Sequence, residues 1–142
     1  MKKTLIIIAL SSFFTNCVRE SEPKKFCYLF INDTDRSVVM EQYRINSAGA
    51  FLENTYVKNG VGVLAESCKT DVRIPTVTEA YRVDSIVVMF DNLRKLSYRI
   101  AQEEQGFVAD SIFFSDEWED DPSNNNFYWR FTEEDYENAE PY

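Results

Sequence analysis

Tyr81-Arg-Val-Asp-Ser-Ile-Val-Val-Met-Phe-Asp-Asn-Leu-Arg-Lys-Leu-Ser-Tyr-Arg-Ile100 is the stretch that decides the fold class. Up to Phe90 it is a β-branched and apolar run of strand length, and Asp91-Asn92 supplies a turn. From Lys95 onward the pattern alternates strictly, with Leu96, Tyr98 and Ile100 on one face and Lys95, Ser97 and Arg99 on the other. A period of two with one wet face is the mark of a half-buried antiparallel strand.

Outward from this pair the chain repeats the theme. Phe26-Cys-Tyr-Leu-Phe-Ile31 is apolar on both faces, as a central strand covered on each side would be. Asn32-Asp-Thr-Asp-Arg36 is a turn, and Ser37 to Ile45 fits either a strand or a helix. Phe51 to Val57 leads into Lys58-Asn59-Gly60-Val61, a hairpin signal with Val61 to Leu64 as the return strand. Phe107 to Phe114 is a further strand candidate, and Phe127-Tyr-Trp-Arg-Phe131 alternates again with Trp129 on the side of the two phenylalanines. Only Thr132 to Ala139 reads as helical, with a capping threonine followed by acids at the positive end of the helix dipole. The expectation is a mainly β chain: a single antiparallel β-sandwich-like domain over residues 26–142 with a short C-terminal helical turn.

The beginning of the chain is of another kind. Lys2 and Lys3 precede an apolar stretch, Leu5 to Phe14, and charge follows at once after Cys17. That layout is an export signal, and at ~1.5 Å rise per residue the apolar run has half the roughly 20 residues a spanning helix needs. Phe14-Thr-Asn-Cys17 resembles a lipobox, with Phe14 where leucine is usual and Asn16 where a small residue is usual. The resemblance implies a signal peptide over residues 1–16, diacylglycerol on Cys17, and a lipidated, charged tether over residues 17–25. Phe30-Ile-Asn-Asp-Thr34, Asp84-Ser-Ile-Val-Val-Met-Phe-Asp91 and Phe131-Thr-Glu-Glu-Asp-Tyr-Glu-Asn-Ala139 complete a pattern that is similar to the small secreted lipoproteins of Bacteroidota-type bacteria, many of them families of unknown function. What this implies is a lipid-anchored place in the cell envelope, at the outer membrane or cell surface, and a β-rich fold.

Composition narrows the chemistry. From Cys17 onward there are 13 basic against 24 acidic residues, a net charge of −11. Such a surface repels polyanions, and no basic run exceeds Lys24-Lys25, so nucleic acid is not an expected partner. Histidine is absent, which removes the commonest general base and metal ligand together. Besides Cys17 only Cys27 and Cys68 remain, too few for a thiolate zinc site; in an oxidising envelope they read first as a disulfide, and otherwise as two buried thiols.

The densest charge is Ser115-Asp-Glu-Trp-Glu-Asp-Asp-Pro-Ser-Asn-Asn-Asn126, with five carboxylates from Asp116 to Asp121. It fails the EF-hand pattern, since Asn126 stands for the glycine and Thr132 for the final glutamate. A looser calcium site and a solvated loop guarding a sheet edge both fit it. Tyr43, Tyr56, Tyr81, Tyr98, Tyr128, Trp118 and Trp129 offer either an aromatic platform for a glycan or core. No catalytic, cofactor-binding or metal residue emerges. The expected function is a non-catalytic, envelope-tethered binding or scaffold module for a protein or glycan. The alternatives are a small carboxylate-dependent hydrolase, or an inhibitor or immunity-type lipoprotein capping a basic target.

Overall fold

Strand β1 (Lys24–Asn32) lies in the interior of the molecule and shows why both of its faces are apolar. The structure, a computed structural model, describes residues 21–103 and 106–142, so the expected signal peptide and Cys17 lie outside the described residues. β1 runs antiparallel to β4 (Gly62–Asp71) and parallel to β9 (Asn126–Phe131), with β8 (Glu119–Asp121) beyond, giving the order β4-β1-β9-β8. Facing it is a second sheet in the order β10-β6-β5-β2-β3. Its strands are β2 (Ser37–Asn46), β3 (Gly49–Asn59), β5 (Ser85–Phe90), β6 (Arg94–Glu103) and β10 (Glu140–Pro141), and β7 (Gly106–Ala109) pairs with the far part of β6. The mainly β, sandwich-like domain is therefore what forms, with one parallel pair among antiparallel ones.

The core follows the alternation read from sequence. Val38 and Met40 of β2 and Ile86, Val88 and Phe90 of β5 point inward and are fully buried, and Leu96, Tyr98 and Ile100 of β6 pack against them. From the opposite sheet come Tyr28, Phe30 and Phe131. Tyr28 stacks on Phe127 with ring centres 4.8 Å apart, and Phe30 on Phe131 at 5.9 Å.

Of the two readings open for Ser37 to Ile45 the strand is the one that forms, with inward positions alternating along β2 (Ser37–Asn46). Other local expectations are corrected. Asn59-Gly60 is not a hairpin: β3 and β4 belong to different sheets, and the turn is a corner between them. Gly60 and Gly62 take φ of +68° and +140° there, and the Asn32 amide ties the corner by donating to the Gly60 and Arg36 carbonyls. The tight hairpin is instead β2–β3, closing at Asn46 and Gly49.

The strand expected from Tyr81 begins only at Ser85, because Val77–Tyr81 forms helix α1. Thr76 and Glu79 make a reciprocal capping box at its start, and Arg82 ends it in the left-handed conformation. The segment 107–114 divides into β7 and a single 3-10 turn, Ser111–Phe113. Helix α2 (Glu133–Asn138) is capped by Thr132 as expected.

The sandwich has two poles. At one, β1 begins, β2 turns into β3, β4 ends, and the α1–β5 connection passes. At the other lie the turns 33–36, 59–62 and 91–93 together with α2, clamped by Arg36, which donates to Asp91 at 3.0 Å and Glu133 at 2.9 Å.

Candidate binding cleft

Strands β3 and β4 are long edge strands of opposite sheets, and neither has a neighbour on its outer side among the described residues. Two of the other edges are short and guarded: β8 is three residues of acid and β10 is Glu140-Pro141. Between the start of β3, the end of β4 and helix α1 the sandwich stays open as a cleft of about 790 Å³. Arg44, Lys69 and Arg82 bring positive charge to it, Glu79 and Asp84 negative charge, and Ile45, Phe51 and Val83 apolar surface.

The two acids are already engaged. Glu79 receives two hydrogen bonds from Arg73, at 2.6 and 3.1 Å, and one from the Thr76 backbone N–H at 2.7 Å. The Arg73 guanidinium is the main reason its carboxyl is held down to about 2. Asp84 accepts from the Ile45 backbone N–H at 2.9 Å, fixing the end of β2. The cations are held far more loosely. Arg44 is 4.0 Å from Glu53, Lys69 is 3.7 Å from Asp71, and Arg82 makes no ion pair among the described residues. Arg82 projects from a left-handed residue at the end of α1, with φ of +57°. The charge left without a close partner in the cleft is therefore positive. A carboxylic acid that donates protons near neutral pH needs its pKa raised, and that of Glu79 moves the other way.

Cys27 and Cys68 stand opposite each other on β1 and β4 with Cα atoms 4.1 Å apart, and they form a disulfide. Cys68 is also part of the cleft wall. Glu66 Oε1 lies 3.2 Å from Cys68 Sγ, a contact and not a hydrogen bond, because a disulfide sulfur carries no proton. Cys27, Glu66 and Cys68 are close enough to share a cation, yet the S–S bond leaves them no thiolate to offer.

The acidic segment does not converge on a point. Glu119 binds Arg130 at 2.9 Å, Asp121 accepts from Ser123 and Asn124, and Glu119–Asp121 pair as β8 with β9. Trp118 in its middle is buried against Tyr28 and Phe30, and its indole N–H donates to the Ile112 carbonyl at 2.8 Å. Nor do the aromatics form one platform. Tyr81 and Trp118 are core, Tyr98 and Trp129 meet edge-on at 6.3 Å against it, and Tyr43 lies half-buried with its hydroxyl donated to Glu41.

The residues that sequence reading missed are Arg44, Lys69 and Arg82. They are isolated along the chain and meet only because two sheet edges and a five-residue helix converge. Comparison with protein-family models, with curated proteins and with solved structures gives no match. The functional reading accordingly rests on geometry and charge.

Proposed function

We propose that the chain is an envelope-tethered, non-catalytic binding module: diacylglycerol on Cys17 holds it to a bacterial membrane, and the β3–β4 cleft takes an anionic segment of an envelope protein or glycan. The observation that carries this reading is the cleft's unequal charge pairing. Its acids are bound to neighbours, while Arg82 has no ion-pair partner among the described residues and Lys69 and Arg44 have distant ones. Hydrogen bonds to a charged group contribute about 1.5–3 kcal/mol each, and Arg82 presents a planar fork suited to a carboxylate.

The experiment is a titration with a poly-glutamate peptide and a uronate-bearing glycan. Arg82→Glu is expected to weaken binding at least about tenfold, since ~1.4 kcal/mol is a factor of ten, and added salt should weaken it further. Unchanged affinity in Arg82→Glu would overturn the assignment. Preferential binding of a poly-lysine peptide would favour the inhibitor reading, which draws on the exposed acids Asp33, Asp35, Glu134 and Glu137 at the α2 pole. The anchor has its own measurement. The mature N-terminus is expected to be an acylated Cys17, and Cys17→Ser should move the protein to the soluble fraction. An unmodified Cys17 in the mature chain defeats the anchor.

A further inference from the structure

The pole at which β1 begins differs in character from the pole that carries α2. Ile45, Phe51 and Leu52 near the β2–β3 hairpin, and Val72 and Ile74 after β4, are all large apolar side chains at least 40% exposed. They flank the cleft from both sides, since it is walled by Ile45 and Phe51 on one side and by Lys69 and α1 on the other. Lys24, Lys25, Arg73 and Arg82 are interspersed with them, all exposed. Most acids of this pole accept hydrogen bonds locally: Asp71 from the Val72 N–H, Glu79 from Arg73, Asp84 from the Ile45 N–H, Asp110 from the Arg99 N–H, and Asp121 from Ser123 and Asn124, while Glu22 is exposed beside Lys24. At the opposite pole Asp33, Asp35, Glu133, Glu134, Glu137 and Glu140 are exposed. Exposed lysines and arginines are thus richer at the β1 pole, and the exposed acids of α2 and of the 33–36 turn lie at the other.

Resting on the lipid-anchor reading, we propose that the β1 pole is a membrane-contacting surface, whose apolar side chains enter the interface of an anionic bilayer while Lys24 and Lys25 meet its phosphate headgroups. The length of the tether argues for it. Only six residues, 18–23, separate Cys17 from Lys24 at the start of β1, and these seven steps reach at most ~25 Å even fully extended. The nine residues of β1 then carry the other pole about 30 Å further from the anchor. Charge complementarity argues for it as well. A chain with 24 acidic residues is repelled by an anionic leaflet as a whole, and this orientation turns Lys24 and Lys25 toward the headgroups and the α2 acids away. Exposed apolar tips rimmed by Lys and Arg are what an interfacial contact requires. The mouth of the cleft would then open at headgroup level, so its ligand is met at the membrane surface.

The test places a reporter at each pole of the full protein as recovered from cells: Ile74→Trp at the contacting pole and Leu93→Trp at the other, each read against the unsubstituted protein to remove the signal of Trp118 and Trp129. The probe is a phosphatidylglycerol vesicle with brominated acyl chains, which quench a nearby indole. Ile74→Trp should lose about half of its added emission, Leu93→Trp less than about a tenth, and ~0.5 M salt should reduce the quenching when the chain is not held covalently. Equal quenching at the two poles, or quenching of Leu93→Trp alone, overturns the surface even if the protein floats with the vesicles, in which case the anchor stands. If mass analysis shows Cys17 unmodified, the anchor reading fails by itself. The surface is then judged by adding the soluble protein to excess vesicles, and absence of quenching in Ile74→Trp refutes it. Phe51→Asp supplies a second variant, expected to lower the Ile74→Trp quenching severalfold by removing an apolar contact from the same pole.

Discussion

The Phe30→Ala variant is expected to lose about 3–5 kcal/mol of stability, the range for a buried aromatic reduced to alanine. Phe30 is fully buried on the central strand, with the rings of Trp118, Tyr81 and Phe131 at 4.9, 5.1 and 5.9 Å. These neighbours come from β9, from α1 and from the segment before β8, so no single movement closes the space left behind. Domains of this size have about 5–15 kcal/mol in total, and such a loss leaves a protein close to unfolding at 37 °C. Urea denaturation followed by tryptophan fluorescence measures it. Val57→Ala on exposed β3 is the control and should change stability by less than ~0.5 kcal/mol. A Phe30→Ala loss below ~1.5 kcal/mol would mean that the aromatic cluster is not the centre of the core.

The second large effect belongs to the disulfide. Replacing both Cys27 and Cys68 by serine opens a loop whose ends are 41 positions apart. The chain-entropy account then gives a loss of about 3–4 kcal/mol. For a domain of this length that is a fall in Tm of roughly 10–20 °C, readable by circular dichroism with and without reductant. The effect should also be local. Among the described residues β4 has β1 as its sheet neighbour on one side and an open edge on the other, so the bridge and the β1 ladder together hold it. Amide exchange is expected to accelerate first from Ser67 to Asp71, where β4 carries Lys69 into the cleft, and affinity for anionic probes should fall with it. A shift in Tm under ~3 °C would show that the ladder alone holds β4.

What was legible in the sequence and what was not divide along a physical line. β5 and β6 were readable because one wet face imposes an alternation of period two, and Asp91-Asn92 does turn there with positive φ at both residues. β1 was readable because a strand covered on both faces is continuously apolar. The disulfide followed from there being two cysteines left after Cys17, and Thr132 from cap chemistry. Helix α1 was missed because five residues show no periodicity, although Thr76 and Glu79 spell its capping box. Asn59-Gly60 signals a turn without saying whether the next strand stays in the same sheet. The burial of Trp118 could not be read among five carboxylates, since it depends on Tyr28 and Phe30 far away in the chain. The cleft was illegible for the same reason: Arg44, Lys69 and Arg82 belong to different elements, and no local pattern marks them.

The parallel pairing of β1 with β9 also has a consequence in time. Phe26 to Ile31 is among the first parts of the domain to be synthesised, yet one of its two flanking strands, Asn126–Phe131, is among the last. At the usual ~5–20 residues per second of translation, roughly a hundred intervening residues take on the order of 5–20 s to appear. For that interval the most apolar strand lacks a partner along one whole edge and the Phe30–Phe131 stack cannot exist. The β1–β9 ladder and the core around Phe131 can therefore close only once the final residues are made, and until then the edge of β1 that β9 will cover stays open.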